Sequence, residues 1–416
     1  MDRFTLEKVY GNKWIDVQKK RYSTLIGLFG ETFGEKPQRL FSASGRTEVC
    51  GNHTDHNCGC VLAAGVSLDV IAAVTPTDDG VITFTSEGFG TDVIDTGDLE
   101  AKQEEVGSSA ALIRGVCSGF AQKGLKVGGF KAYSTSNVLK GSGLSSSAAF
   151  EVLIGDILAG LHNGGQPNDI EIAKISQYAE NAYFGKPSGL MDQMACSVGG
   201  FISIDFASEK EPVVSPLRFD LAQSGYALCI VDTKGDHADL TPDYAAIPAE
   251  MKAVAGVFGK RVLRELSREE LIAESRQVRR KCGDRAYLRS LHFFDENERV
   301  IEMTKALESG ETEAFLRLVN ESGMSSLCWL QNIFPCSQPQ AQGLSVALYA
   351  AKRILGAKGA CRVHGGGFAG TVQAFVPFEL LDRFKAEMQM LFGDDCCHVL
   401  DIRNVGGAEI DMGGIV

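Results

Sequence analysis

The feature that most limits the fold of this chain is its glycine, which is gathered into short clusters. The chain has 47 Gly among 416 residues, about one and a half times the usual share of about 7%. The glycines follow no G-X-Y period, which excludes a collagen-like helix. Three clusters stand out, at 45–65, 141–143 and 365–370. Because glycine has no side chain, each cluster predicts a loop whose backbone can approach a ligand closely.

Charge and cysteine content exclude several classes of partner. The chain has 53 Asp and Glu against 41 Lys and Arg, a formal net charge of −12, which argues against nucleic acid and anionic membranes. No apolar signal region or run of about 18 apolar residues is visible. We therefore expect a cytoplasmic protein whose 12 Cys are free thiols, mostly buried.

Hydrophobic periodicity predicts helices and strands without a regular βαβ alternation. Residues 15–34, 110–123 and 170–183 have the period of amphipathic helices, and most of 243–356 is helical in pattern. The predicted strands are 66–76, 80–89, 128–138, 201–206, 226–233, 360–364 and 371–377. This mixture predicts an α+β fold. We expect two domains, residues 1–210 and 211–416.

The second cluster has the composition of a phosphate-binding loop that leads into an apolar helix. Its residues are Gly141, Ser142, Gly143, Leu144, Ser145, Ser146 and Ser147. Glycines let successive backbone N–H groups converge on an anion, and the helix start adds a positive dipole end. The hydroxyls add donors, and one of them can ligate Mg²⁺. It is not a Walker A loop, because the Lys after the second glycine is missing. The alternative is a flexible turn with a Ser N-cap.

The first cluster gathers one Arg, two acids, two His and two Asn within residues 45–59. Such density suits a small ligand with several hydroxyls, because each buried hydroxyl needs a partner. One alternative is a purely structural polar loop. Another is a zinc site built from Cys50, His53, His56, Cys58 and Cys60, although their spacing fits two-ligand pairs poorly.

The third cluster formally matches the dinucleotide pattern G-x-G-x-x-G. A strand pattern follows it at 371–377, where a dinucleotide site requires a helix. A glycine loop between two strands instead suits close approach to a ligand or to another domain.

Taken together and in this order, the clusters resemble the motifs of the GHMP kinases, and within them the galactokinases. The family's G-R-V-N-L-I-G-E-H-T-D-Y-N-x-G appears here as GRTEVCGNHTDHNCG, and its G-x-G-L-S-S-S-A as GSGLSSSA. Its G-I-M-D-Q and G-G-G-F-G-G appear as GLMDQ and GGGFAG. The resemblance spans residues 38–376. It implies a two-domain GHMP kinase-like fold with the active site at the domain interface.

The resemblance also implies a reaction, namely phosphoryl transfer from ATP, with Mg²⁺, to the anomeric hydroxyl of galactose. It assigns the catalytic base to Asp192, the position beside the transferring phosphate to Arg46, and the Mg²⁺ ligands to Ser147 and Glu180. The sugar-binding residues that it implies, besides Arg46 and Asp192, are Asn52, His53, Thr54, Asp55, Gly189 and Tyr244. The nucleotide-binding residues are Ser86 and the loop 141–147. We expect a small sugar as the partner and a monomer or weak dimer.

The residue types suit these roles. A sugar hydroxyl is a poor nucleophile, so a carboxylate such as Asp192 must accept its proton, and Arg46 would offset the accumulated negative charge. Taken alone, Asp192 could instead cap a helix that begins at Gln193. Glu180 taken alone could be a solvated helix residue.

The sugar motif departs from the family more than the phosphate loop does. Asn52 stands where the family has Glu, His56 where it has Tyr, and Thr47-Glu48 where it has Val-Asn. An amide accepts more weakly than a carboxylate, and it also donates. The alternatives are therefore a kinase for another sugar or polyol, and a non-catalytic regulator that binds sugar and ATP. On the motif alone, Asn52→Glu should raise activity on galactose.

Overall fold

A computed structural model describes residues 3–138, 144–208, 211–235, 240–413 and 415. Within these ranges no helix combines the length and the apolarity needed to cross a membrane. All twelve cysteines lie inside them and are free thiols, most of them buried, which confirms the expectation from composition.

The strands and helices alternate irregularly along the chain. The strands are β1 (Arg3–Phe4), β2 (Arg39–Cys50), β3 (Cys60–Pro76), β4 (Val81–Ser86), β5 (Gly90–Asp95), β6 (Phe130–Ser136), β7 (Phe201–Asp205), β8 (Val213–Leu217), β9 (Tyr226–Asp232), β10 (Ala360–His364), β11 (Thr371–Pro377), β12 (Cys397–Leu400) and β13 (Ala408–Ile410). The helices are α1 (Leu6–Tyr10), α2 (Ile15–Phe33), α3 (Ser109–Gln122), α4 (Ser146–His162), α5 (Asp169–Ala179), α6 (Met191–Val198), α7 (Thr241–Val257), α8 (Arg268–Ala273), α9 (Ser275–Cys282), α10 (Asp284–Glu308), α11 (Thr312–Ser325), α12 (Gly343–Leu355) and α13 (Leu381–Phe392).

The first sheet is built around one long strand. Within the described residues it has nine strands in the order β1-β13-β2-β3-β6-β4-β5, with β7 pairing β3 and β8 pairing β7. Residues 70–76 of β3 pair with β6 and residues 60–64 pair with β7. β2 runs antiparallel to β3, and its register shifts between Glu48 and Cys50. Such a bulge re-aims side chains next to a site, and here it ends the strand that carries Arg46.

The second sheet has the antiparallel order β10-β11-β9-β12 among the described residues. It lies within residues 226–400, whereas β13 returns to the first sheet and pairs with β2. α12 and α13 cover the second sheet, while α3, α4 and α5 share a core with the first. The division at residue 210 stays a prediction.

The helix pattern follows from local sequence. α4 is buried along most of its length, which fits its apolar sequence. The Asn168 side chain caps α5, and Gly34, with φ 71°, closes α2 in the left-handed conformation. The predicted helix 170–183 changes character near its end. A π-helical turn, Glu180–Phe184, follows α5, and turns of this kind often accompany functional sites.

Most predicted elements are confirmed, and one is corrected. β10 and β11 coincide with predicted strands 360–364 and 371–377, and α2 with predicted helix 15–34. The loop predicted across 45–65 is confined to residues 51–59, because β2 continues to Cys50 and β3 already begins at Cys60. The polar residues that hid the strand pattern face a cavity.

Candidate active site

Arg46 and Asp192 form a bidentate ion pair at the wall of a small cavity. The Nε and Nη2 of Arg46 donate to Oδ1 and Oδ2 of Asp192 at 2.8 and 2.9 Å. The Ser145 hydroxyl donates a further hydrogen bond to Oδ2. Asp192 lies inside α6, which begins at Met191, so the alternative that it caps a helix beginning at Gln193 is wrong.

The environment of Asp192 keeps the carboxylate ionised. Burial raises its pKa, but the charge of Arg46 and the hydrogen bonds from Arg46 and Ser145 outweigh this, and the net pKa lies below the ordinary value. The side chain is still 26% exposed. An ionised carboxylate that remains open to a cavity can accept a proton from a ligand.

Glu180 is a second carboxylate, held between a hydroxyl and an ammonium. It is 1% exposed, so the solvated-helix alternative is wrong. Its Oε1 accepts from Ser147 Oγ at 3.0 Å and from Lys186 Nζ at 2.8 Å, and its Oε2 accepts from Gln193 Nε2 at 2.7 Å. Mg²⁺ prefers oxygen ligands and takes few from protein, with water and phosphate supplying the rest. Ser147 and Glu180 fit that donor set.

A buried acid that the sequence reasoning missed lies behind this group. Gln193 Nε2 also donates to Glu151 of α4, at 3.1 Å. Burial, followed by the charge of Glu180, raises the pKa of Glu151 well above its ordinary value. Glu151 follows Ser147 by four residues on the same face of α4, and that spacing was the available signal. No spacing pattern in the sequence pointed to Lys186, which donates to Glu180.

The loop that follows β2 brings further polar groups to the cavity. His53 has a φ of 60°, and its Nε2 donates to the Gly366 carbonyl at 2.9 Å. Burial lowers the pKa of His53 to about 4, so the ring is neutral near pH 7. A side chain at Gly189 would come within 2.2 Å of Asp55 Oδ2. Glycine at that position therefore lets the segment before α6 approach Asp55.

Thr54 lies inside the same loop, with its hydroxyl turned toward backbone. Its Oγ1 lies 2.9 Å from the Gly51 carbonyl oxygen and 2.7 Å from that of Cys60. The side chain is fully buried and holds the loop closed. Its role in sugar binding stays a prediction.

Asn52 contacts a carboxylate that the sequence analysis did not assign to the site. Asn52 Nδ2 donates to Glu48 Oε1 at 2.9 Å and to the Gly365 carbonyl at 2.8 Å. Its Oδ1 accepts from Asn332 Nδ2 at 2.8 Å. Glu48 Oε1 also accepts from Arg362 Nη2 at 3.1 Å. Asn332 and Arg362 are distant in sequence, and no local pattern pointed to them.

The third glycine cluster packs against Tyr244 of α7. The Tyr244 hydroxyl donates to the Gly367 carbonyl at 2.8 Å, and its ring meets Phe368 edge-on at 5.3 Å. A side chain at Gly366 would come within 2.6 Å of the Tyr244 ring. Burial raises the pKa of Tyr244 to about 12, so the hydroxyl stays a donor. Tyr244 supports the glycine loop and is not among the residues that line the cavity.

The predicted phosphate loop is described only in part. Gly141, Ser142 and Gly143 lie outside the described residues. The Leu144 carbonyl accepts from the backbone N–H of Arg46 at 3.2 Å. Ser145 has a φ of 54°, and Ser146 begins α4.

Ser86, the remaining nucleotide prediction, ends β4. Its Oγ accepts a hydrogen bond from Ser134 Oγ at 3.2 Å. It does not line the cavity beside Asp192, and its role stays a prediction.

Fourteen described residues enclose a cavity of about 280 Å³ that brings together the first motif, GLMDQ and GGGFAG. They are Arg46, Glu48, Asn52, His53, Asp55, His56, Lys186, Pro187, Ser188, Gly189, Met191, Asp192, Gly365 and Gly366. The described part of the phosphate loop and Glu180 are not in its lining. The size of the cavity is close to the lower end of small-molecule sites, about 300 Å³. A larger groove of about 1180 Å³ lies along α11 and has none of the motif residues in its lining. The chemistry therefore assigns the site to the smaller cavity.

The proposed zinc ligands do not converge. Cys50 Sγ donates to Glu296 at 3.2 Å, and Arg264 donates to Cys60 Sγ at 3.4 Å. His53 is bonded to backbone. Within the described ranges no group of three or more His, Cys, Asp or Glu side chains is arranged to hold a metal ion. The geometry contradicts the zinc alternative.

Comparison with known families supports the reading of the motifs. Residues 27–76 match the galactokinase galactose-binding signature, and residues 111–200 match the GHMP kinases N terminal domain. A galactokinase from Streptomyces coelicolor is 31% identical over 353 residues, covering 84% of this chain and 87% of the relative. One from Thermotoga neapolitana is 31% identical over 355 residues, covering 85% and 93%.

Solved structures agree with these relatives. The chain superposes on Lactococcus lactis galactokinase complexed with galactose with a TM-score of 0.79 and 25% identity, covering 94% of this chain and 99% of the other. Methanococcus jannaschii mevalonate kinase gives a TM-score of 0.62 at 14% identity, covering 87% and 98%. At 14% identity, the likeness to the mevalonate kinase shows the fold alone. That fold is the predicted two-domain GHMP kinase-like fold.

Proposed function

The chain belongs to the galactokinase family of the GHMP kinases, and we propose that it transfers the γ-phosphoryl group of ATP to the anomeric hydroxyl of galactose. The main support for the proposal is the ionised Asp192 carboxylate, which Arg46 binds through two hydrogen bonds and which is open to the cavity. A regulator that only binds sugar and ATP has no need of such a base. The products are galactose 1-phosphate and ADP.

Asp192 acts as the proton acceptor in this proposal. As the anomeric oxygen bonds to the γ-phosphorus, the bond from that phosphorus to the β–γ bridging oxygen breaks, and the hydroxyl proton passes to Asp192. Because Arg46 and Ser145 lower the pKa of Asp192, the carboxylate is ionised before the sugar binds. Arg46 also offsets the charge that the carboxylate and the phosphoryl oxygens share.

In this proposal, the residues that bind ATP and Mg²⁺ are at the start of α4 and at Glu180. The N–H groups at the start of a helix favour phosphate, and Ser146 begins that helix. Ser147 and Glu180 would hold Mg²⁺, which when bound neutralises charge on the β- and γ-phosphate oxygens. Lys186, whose Nζ donates to Glu180 Oε1 at 2.8 Å, pairs with that carboxylate and adds a cation close to Asp192.

We also propose that the protein works in the cytoplasm as a monomer or weak dimer. Its twelve free thiols support a reducing compartment. Native mass spectrometry would measure the oligomeric state, and a stable higher oligomer would contradict this part of the proposal.

A coupled assay of ADP release over a panel of sugars tests the activity. The panel holds galactose, glucose, mannose, N-acetylgalactosamine and a polyol such as inositol. We expect sugar-dependent ADP release, highest with galactose. Release with another member only would favour the alternative of a different sugar kinase. No release above the sugar-free background with any member would contradict the kinase.

A further inference from the structure

Two positions of the first motif have exchanged side-chain types. The family motif G-R-V-N-L-I-G-E places an amide at position 48 and a carboxylate at position 52. This chain has Glu48 and Asn52. The exchange keeps one carboxylate and one amide, so the chemical content of the motif is preserved although neither position matches.

The exchanged residues are in direct contact, with Asn52 Nδ2 donating to Glu48 Oε1 at 2.9 Å. The Asn52 amide is fully engaged by protein. Its NH₂ also donates to the Gly365 carbonyl at 2.8 Å, and its oxygen accepts from Asn332 at 2.8 Å and Ser326 at 3.4 Å. No donor or acceptor of this amide is left for a ligand.

Glu48 has the opposite character. Its Oε1 accepts from Asn52 and from Arg362 Nη2, at 2.9 and 3.1 Å, while its Oε2 has no hydrogen-bond partner among the described residues. Arg362 is itself fixed, because its Nη1 donates to the Val49 carbonyl at 2.7 Å. Glu48 lines the cavity and lies two residues from Arg46 on the same face of β2. A fixed carboxylate with one open oxygen can accept a hydrogen bond from a ligand hydroxyl.

We infer that Glu48 is the residue that accepts a hydrogen bond from a sugar hydroxyl, and that Asn52 is a positioning residue that holds the Glu48 carboxylate. The inference rests on the proposed sugar kinase function and specifies its pocket. The ligand presents a free hydroxyl at this point. A phosphate or carboxylate group at that position of the sugar would be repelled, so the pocket selects sugars with a neutral hydroxyl there.

The contact also reverses the expectation drawn from the motif for Asn52→Glu. That change alone would place a second carboxylate within about one hydrogen-bond length of Glu48, and two carboxylates in one site repel each other. Activity on galactose should therefore fall. The double variant Glu48→Asn with Asn52→Glu restores one carboxylate and one amide, and activity should return.

Steady-state kinetics on galactose separate the roles. For Glu48→Gln we expect KM to rise about 10- to 100-fold, the cost of losing a charged hydrogen bond, with kcat within about threefold. Asn52→Glu should lose more than about tenfold in kcat/KM, and the double variant should regain at least tenfold over Asn52→Glu. Glu31→Gln, an exposed site on α2, is the matched control. An unchanged KM in Glu48→Gln, or an Asn52→Glu variant at or above wild type, overturns the inference.

Deoxy sugars identify the hydroxyl. The substrates are 2-, 3-, 4- and 6-deoxygalactose, each compared with galactose. For wild type, kcat/KM should be about tenfold or more lower with one of these analogues. For Glu48→Gln, the same analogue and galactose should give nearly equal kcat/KM. Equal losses in both proteins for every analogue would overturn the assignment. Thermal unfolding checks each variant first, because Arg362 loses a partner. If Glu48→Gln unfolds at a much lower temperature than wild type, the role of Glu48 is tested by comparing kcat/KM of Asn52→Glu with that of the double variant.

Equilibrium binding separates this inference from the proposed function. Isothermal titration of galactose into wild type and Glu48→Gln, each with a non-hydrolysable ATP analogue, measures affinity without turnover. A difference of about tenfold or more without any turnover contradicts only the kinase. Turnover with equal affinities contradicts only the role of Glu48.

Discussion

The two walls of the cavity follow the family motifs to different degrees. The transfer wall is defined as the lining residues Arg46 and Asp192 with Ser145, Ser147 and Glu180, which lie outside the lining. It keeps the residue that the resemblance implies at each position, and its contacts join Arg46 and Ser145 to Asp192, and Ser147 to Glu180. The sugar wall is defined as the lining residues Glu48 and Asn52 with Asn332 and Arg362, which hold them. Its two motif positions differ from the family, yet together they supply one carboxylate and one amide, in contact with each other. The two side-chain types are therefore preserved as a pair although neither position matches the motif.

The difference has a physical basis. Phosphoryl transfer has the same charge distribution whatever the acceptor, so the transfer wall has little freedom to vary. A sugar hydroxyl needs only one acceptor at a suitable point, and two neighbouring backbone positions can supply it. The variants below test whether the two walls really have separate roles.

Among these variants, Asp192→Asn should lower kcat the most. It should impair phosphoryl transfer and leave nucleotide binding nearly unchanged. Loss of the base should lower kcat by about 10³-fold or more, while the affinity for an ATP analogue changes by less than about threefold. Rapid-quench kinetics and calorimetry measure the two quantities. Asp16→Asn, exposed on α2, is the matched control. A kcat within about tenfold of wild type would place the base elsewhere.

Arg46→Met should lower kcat by about 10²-fold and move the pH profile. Arg46 lowers the pKa of Asp192, so its removal raises that pKa. The acid limb of kcat/KM should then shift to higher pH, because Asp192 becomes protonated earlier as the pH falls. A pH series on the residual activity checks this. An acid limb that stays in place would mean that Asp192 is not the group that titrates.

Glu180→Gln should raise the Mg²⁺ concentration needed for half-maximal activity by about tenfold and leave the KM for galactose nearly unchanged. Its matched partner is Glu48→Gln, which should change the KM for sugar and leave the Mg²⁺ requirement alone. A magnesium titration at saturating ATP measures the effect. If both variants changed both quantities equally, the division into two walls would be wrong.

The smallest effect concerns His53 at the edge of the sugar wall. Its pKa is lowered to about 4, mainly by burial, against about 6.5 in an unfolded chain. Below pH 6.5 the unfolded chain therefore binds a proton that the folded chain excludes, and the free energy of unfolding should fall between pH 6.5 and pH 4. NMR titration of the ring should give a pKa near 4. A value near 6.5 would contradict the buried, neutral ring.

Sequence predicted the fold best where periodicity was strong and local. α2, β10 and β11 follow directly from apolar spacing. β2 was missed as a whole, since no strand was predicted before residue 66. Arg46 and Glu48 interrupt its apolar pattern because that face of the strand lines a cavity. The π-helical turn at Glu180–Phe184 has no clear sequence signal.

The site was predicted in outline from short motifs, and its supporting residues were not. The contact between Arg46 and Asp192 spans 146 residues of sequence, and the motifs alone suggested their proximity. Arg362 reaches Glu48 across 314 residues from the strand before the third glycine cluster. Only tertiary structure brings such pairs together, so a motif names the reactive groups and leaves out the residues that orient them.

NMR analysis of the product shows which carbon of the sugar is phosphorylated and whether Asp192 is needed for it. Galactose labelled with ¹³C at the anomeric carbon is incubated with ATP, Mg²⁺ and either wild type or Asp192→Asn. We expect wild type to convert the label to a signal coupled to phosphorus, in step with ADP formation, and Asp192→Asn to leave the label unconverted. Phosphate at another carbon, no phosphorylated sugar, or equal conversion by the variant would contradict this expectation.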